Sequence, residues 1–96
     1  MKHNNDHKLK NFLEDIGEED IYIANGLSDA FIGIANVKNN RVAVYSTGLI
    51  ALQLMEDGMS YDEAEEYIQF NIIGLDVGDK TPIYVDFIPD AFWKED

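Results

Sequence analysis

Hydrophobic and polar positions alternate with two different periods along this chain. Between residues 30 and 45 the period is two. Phe31-Ile32-Gly33-Ile34-Ala35-Asn36-Val37 and Arg41-Val42-Ala43-Val44-Tyr45 flank Lys38-Asn39-Asn40. Two short β-branched and aromatic runs around a turn-prone pair predict a β-hairpin. Asparagine tolerates left-handed backbone, so Asn39-Asn40 is the expected turn. That register sets Lys38 against Arg41, Val37 against Val42, Ala35 against Val44 and Ile34 against Tyr45. One side of the ribbon collects Phe31, Ala35, Val37, Val42 and Val44, and the other collects Ile32, Ile34, Ala43 and Tyr45. A ribbon apolar on both sides belongs inside a structure or at an interface. Gly33 and Ala35 thin one side enough for a helix to lie close.

From Ser60 the period becomes helical. At about 100° per residue, Tyr61, Ala64, Tyr67, Ile68, Asn71 and Ile72 fall on one face, while Asp62, Glu63, Glu65, Glu66 and Gln69 spread over the other. Ser60 and Glu63 have capping-box spacing at its start, and Gly74 is the expected stop. Asn71, an amide in the apolar sector, is expected to hold the following turn, Leu75–Thr81. A second helix is predicted over Leu49–Glu56, capped from Ser46-Thr47-Gly48 and stopped at Gly58. Nearly all of it is apolar, so burial is expected, with Met55 as core filler. Leu9, Phe12, Leu13 and Ile16 predict a short first helix ended by Gly17. Ile21-Tyr22-Ile23-Ala24 and Ile83–Phe87 read as strands.

These elements predict an α+β domain: a small antiparallel sheet with a central β-hairpin, a helix–turn–helix pair packed on one face and a C-terminal strand. Residues 1–11 are expected to be a flexible basic segment and residues 12–96 a single domain. Asp86 on the last strand implies solvent or a partner beside it. Phe92 and Trp93 either pack back onto the domain or form an exposed anchor.

Composition narrows the function classes. Seven basic residues against 19 acidic ones give a formal charge of -12. Bare nucleic acid and anionic membranes are repelled by such a surface, whereas a basic protein is attracted. The acids are unevenly placed: Glu14, Asp15, Glu18, Glu19, Asp20 and Asp29 form one block, and residues 56–96 hold twelve acids against two lysines. Without cysteine, disulfides and thiolate metal sites are excluded, and an intracellular, cytoplasmic location is expected. No apolar run is long enough to span a bilayer, and the N-terminus has no signal-peptide core.

Candidate chemistry is sparse. His3 and His7 stand four apart, but in a ragged polar end that reads as a solvated tail. Gly78-Asp79-Lys80-Thr81 echoes a phosphate loop, yet lysine does not follow glycine directly and Pro82 opens a strand instead of a helix. Asp76 and Asp79 fall short of a calcium-loop spacing. No metal or cofactor is therefore expected, and no catalytic constellation appears. The notable feature is the helical acids. Asp62 meets Glu65 and Glu66, and Glu63 meets Glu66, at spacings where like charges cost roughly 0.2–0.5 kcal/mol per pair. Two accounts fit: a solvated face that has drifted, or a face kept because a partner supplies cations.

Ser28-Asp29-Ala30-Phe31-Ile32-Gly33-Ile34, Val42-Ala43-Val44-Tyr45, the run G-M-S-Y-D-E-A-E-E-Y-I-Q-F-N-I-I-G over residues 58–74 and T-P-I-Y over residues 81–84 resemble small proteins carried by bacteriophages and mobile elements. The resemblance spans roughly residues 20–87. It implies the genomic company of anti-defence inhibitors such as anti-CRISPR proteins, some of which imitate nucleic acid in charge layout. The functional expectation is a non-enzymatic inhibitor acting in the host cytoplasm. Asp62, Glu63, Glu65 and Glu66, supported by Asp76 and Asp79, would occupy a basic groove of a host nucleic-acid-binding protein such as a CRISPR effector. A self-associating structural or regulatory module, a homodimer through the hairpin and Phe92/Trp93, is the alternative.

Overall fold

A computed structural model describes residues 5–87 of the chain. Helix α1 spans Asp6–Asp15, β1 Phe31–Val37, β2 Asn40–Ser46, α2 Thr47–Glu56, α3 Tyr61–Ile68 and β3 Ile83–Val85. Single 3₁₀ turns stand at Ser28–Ala30 and Gly78–Lys80, and a π turn at Gln69–Ile73 extends α3. The fold is α+β, with a three-stranded sheet in the order β1-β2-β3.

The hairpin forms one residue earlier than the asparagine pair suggests. Its turn is Lys38-Asn39, both at positive φ (50° and 76°), so Val37 pairs with Asn40, Asn36 with Arg41 and Ala35 with Val42. The expected register would have set two cations, Lys38 and Arg41, directly opposite one another, which is unfavourable. The observed one gives Arg41 a cross-strand acceptor, Asn36 Oδ1 at 3.1 Å. Moving the turn by one residue changes every pair yet keeps each position on its expected side. A β-bulge between Phe31 and Gly33 makes the one exception. It turns Phe31 to the Tyr45 side, where the two rings meet edge to face at 5.9 Å, and leaves Ile32 exposed.

β3 joins β2 in parallel, so the sheet is mixed where an antiparallel one is expected. Parallel pairing needs a crossover connection, and the α2–α3 pair between β2 and β3 supplies it. Tyr84 thereby lies beside Tyr45, ring stacked on ring at 5.9 Å.

Ala43 and Tyr45 point from the sheet into one cluster that includes Leu9 and Leu13 of α1, Ile50 and Ala51 of α2, Ala64 and Ile68 of α3, and Ile72 of the π turn. The helices thus share one face of the sheet. Over Gly33, on the other face, a side chain would meet nothing within 4 Å among the described residues, so none of the described helices lies close there, contrary to expectation. Val42 on that face is buried all the same, and the Gly78–Lys80 turn contacts its strand.

Ile21–Ala24 is irregular and pairs with no strand among the described residues. Its alternation is nonetheless used: Ile21 and Ile23 enter the core while Tyr22 faces out. The Ala24 N–H donates to the Tyr45 hydroxyl at 2.8 Å, a side-chain bond in place of a ladder. Burial pushes the Tyr45 pKa up to about 12, the Ala24 bond opposing it.

The helix begins within the segment expected to be a flexible basic extension. From the first turn of α1, the Asp6 carboxylate accepts from the Gly26 N–H at 3.0 Å and the Ser28 hydroxyl at 2.6 Å, and Leu9 is buried. Both α1 and α2 end in the same way. Glu18 N–H donates to Leu13 O and Gly17 N–H to Glu14 O; likewise Met59 N–H donates to Leu54 O and Gly58 N–H to Met55 O. This is the Schellman closure, and it needs the positive φ that Gly17 (81°) and Gly58 (115°) adopt. Glu18 then takes Arg41 through Nε at 2.9 Å, tying the α1 exit to the hairpin and holding the Glu18 carboxyl below its usual pKa. No helix among the described residues is long and apolar enough to cross a membrane. His3, Phe92 and Trp93 lie outside the described residues.

Candidate interaction surface

α3 is built as its sequence dictates. The Ser60 hydroxyl accepts from the Glu63 N–H at 3.2 Å, and the Glu63 carboxylate accepts from the Ser60 N–H at 2.9 Å. This reciprocal pair satisfies two amides that the first turn leaves open. Ala64 and Ile68 are buried, at 0% and 2% exposure. Past Ile68 an α-helix would carry Ile72 about 40° around the axis. The wider i→i+5 turn at Gln69–Ile73 advances less per residue and keeps Ile72 in the core line. Phe70 is left 76% exposed. The expected inward face is therefore narrower than its pattern: Tyr61, Tyr67 and Asn71 are exposed.

The six expected partner-binding acids are all exposed, but they are not equivalent. Glu63 is committed to the cap. Glu65 hydrogen-bonds the Tyr61 hydroxyl, raising the Tyr61 pKa, and the charges of Glu65, Asp62 and Asp86 add to that rise. Glu66 lines a depression of about 410 Å³ with Met59, Glu63, Tyr67, Phe70 and Asn71. Asp62 stands on the outer face of the helix.

Asp76 and Asp79 belong to a separate turn and line neither depression beside α3. Asp76 has a structural role there. Its Oδ1 accepts from the Gly78 N–H at 2.8 Å and lies 3.1 Å from the Thr81 hydroxyl, which itself accepts from the Val77 N–H at 2.9 Å. The Gly78 bond, then the Thr81 bond, lower the Asp76 pKa. Asp76 and Thr81 thus hold the turn that the apolar pattern assigns to Asn71. An aspartate before a glycine at positive φ, with a threonine five residues on, is the local signal for it.

On the other side of α3, Thr47, Gly48, Ala51, Leu52, Met55, Tyr61, Glu65, Asp86 and Phe87 line a groove of about 580 Å³ between α2, α3 and the end of β3. The Thr47 hydroxyl donates to the Asp86 carboxylate and lies 3.2 Å from the Val85 carbonyl, which aims Asp86 at this groove's edge. α2 departs from expectation here. Its cap is as predicted, the Ser46 hydroxyl accepting from the Leu49 N–H at 3.1 Å. Ile50 and Ala51 are buried, but Leu49, Leu52 and Met55 are exposed, Leu52 at 56%. Met55 is thus a surface residue and not core filler. Gln53 is buried instead: its Nε2 donates to the Gly26 carbonyl at 2.7 Å, while its Oε1 has no donor among the described residues. Binding that loop requires a polar side chain inside, and the helix rotates its apolar stripe outward.

The exposure of the α3 acids is legible in the sequence, whereas the groove beside them is not. The i, i+3, i+6 spacing of Leu49, Leu52 and Met55 is visible in the chain, yet it is masked by apolar residues all around that helix. No protein-family model matches the chain, and neither a curated protein nor a solved structure does. No cluster of three or more potential metal-ligating side chains occurs among the described residues.

Proposed function

We propose that this is a non-enzymatic acidic binding protein that uses α3 to occupy a basic, nucleic-acid-binding groove of another protein. One observation carries the reading. α3 stands between two open depressions lined by carboxylates and exposed apolar or aromatic side chains, with no lysine or arginine among their described lining residues. Carboxylates held at fixed spacing by a capped helix present an ordered array of negative charge, as a phosphate strand does. Tyr61, Tyr67 and Phe70 add the aromatic area on which protein interfaces rely. The acids are exposed to solvent along α3, an arrangement suited to contact with a partner surface. An inhibitor role in the host cytoplasm, of the anti-defence kind implied by the resemblance to small phage and mobile-element proteins, is the specific form of this proposal.

The test is a pull-down from host lysate at low and high salt. The wild-type chain is compared with Asp62→Asn/Glu63→Gln/Glu65→Gln/Glu66→Gln, in which the new side-chain amide at the third helical position still offers the cap an acceptor. A basic nucleic-acid-binding protein should elute with salt and should not be retained by the variant. Equal retention by both proteins would reject the proposal. The self-associating alternative keeps one supporting observation, the exposed Ile32 and Val37 on the hairpin. A salt-insensitive oligomer in light scattering would favour it.

A further inference from the structure

We propose that the groove between α2 and α3 seats the apolar face of a cationic amphipathic helix from a partner protein. The proposal rests on the reading above only in taking the partner to be basic; the site and the form of the ligand are new. The groove floor is apolar, made by Ala51, Leu52, Met55 and Phe87, with Tyr61 beside them. Leu52, Met55, Tyr61 and Phe87 are exposed although each carries a large apolar surface. Such a concentration of exposed apolar side chains marks a binding surface more often than chance exposure does.

Charge complementarity identifies the occupant. Glu65 and Asp86 stand at the groove with no described cation lining it, and the charges of Glu65, Asp62 and Asp86 all reach the Tyr61 hydroxyl. A purely apolar ligand would cover these carboxylates without supplying a cation to balance their charge. A ligand that is apolar on one side and lysine- or arginine-rich at its flanks satisfies both floor and rim. The side of α2 that lines the groove runs from Gly48 to Met55, about 10 Å of helix, enough for anchors one turn apart on a facing helix. Helix-in-groove recognition reads anchors with that spacing.

The test is fluorescence anisotropy with the full chain and three labelled synthetic peptides of about five helical turns. The first has leucines on one face and lysines on the other, the second has the same composition scrambled, and the third replaces lysine by glutamate. The patterned peptide should bind at least about tenfold more tightly than the scrambled one, and the glutamate peptide should not bind. Leu52→Gln/Met55→Gln should abolish the advantage of the patterned peptide; Leu52→Lys, a single change at an exposed position, is the second variant and should do the same. If patterned and scrambled peptides bind alike, the acidic-surface reading stands and the groove proposal falls. If neither binds, both fall. Dimers in light scattering that Leu52→Gln/Met55→Gln disperses would make a second copy the occupant and overturn the proposal. Tenfold tighter peptide binding by Phe92→Ala/Trp93→Ala would overturn it too, assigning the groove to the chain's own residues 88–96.

Discussion

α2 and α3 lie side by side, and their sequences promise opposite behaviour. α3 is half acid, and its chemistry sorts cleanly: Ala64, Ile68 and Ile72 go in and the carboxylates stay out. α2 carries a single charge, Glu56, and looks like a helix meant to vanish into the core. It buries Ile50 and Ala51 but also Gln53, and it leaves Leu49, Leu52 and Met55 at the surface. A polar residue on an apolar helix can mark the inward face when the loop beneath it offers a carbonyl, as Gly26 does here. The helix that carries the charge and the helix that leaves unexpected apolar surface exposed meet at one groove.

The sharpest way to break this comparison is truncation along α2 and α3. Ile50→Ala and Ile68→Ala should each cost about 2–4 kcal/mol in urea unfolding, because both side chains are buried in the same cluster. Leu52→Ala should cost less than about 0.5 kcal/mol. Equal losses at Ile50 and Leu52 would contradict the assigned rotation of α2.

Tyr45 comes next. Its pKa is raised from 10.0 to about 12 in the folded chain. Above pH 10 the unfolded state releases this proton while the folded state keeps it, so stability falls as pH rises from 10 towards 12. Below pH 10 both states hold the proton and the contribution is fully present. The loss should reach about 2 kcal/mol across that interval. Tyr45→Phe should reduce that dependence to what the raised pKa values of Tyr84 and Tyr61 leave, and cost about 1–2 kcal/mol at neutral pH, since the Ala24 N–H loses its acceptor. Denaturant midpoints against pH give both results.

The caps give a smaller effect. Ser60→Ala should destabilise by about 1 kcal/mol in the same assay. Asp76→Ala should leave global stability almost unchanged yet speed hydrogen exchange at the Gly78 amide, which loses its acceptor. In the wild-type chain the same bond is present above the usual aspartate pKa and is lost as pH falls through the lowered value. Smallest is the charge test: Asp62→Asn/Glu66→Gln should stabilise the chain by a few tenths of a kcal/mol through relief of like-charge pairs, while weakening partner binding. Reduced stability would mean that those carboxylates have a structural role.

The legibility of the fold follows the range of the interactions. Gly17, Gly58, Ser46 and the Ser60/Glu63 box act within one turn, so the helix ends are readable in the chain. The hairpin is readable too, but its turn is displaced by a cross-strand repulsion between Lys38 and Arg41 that local turn preference does not include. Ile21–Ala24 has the alternation of a strand without a partner, and only Tyr45, far along the chain, explains where its backbone bonds. The parallel docking of β3 and the outward roll of α2 depend on what the loops near Gly26 and Asp86 offer, which no periodicity encodes. The α3 acids were legible because charge needs no partner to be seen. The groove was not, because its apolar floor resembles core until the fold shows which side is covered.

Backbone amide shift mapping tests the central claim most directly. The isotopically labelled full chain is titrated at low salt with the patterned leucine–lysine peptide. Perturbed amides should concentrate on Leu49–Glu56 and Tyr61–Phe70 and return to their starting positions when salt is raised, with β1 silent. Shifts centred on Ile32–Val37, or unchanged by salt, would contradict an acidic α3 surface as the site of binding.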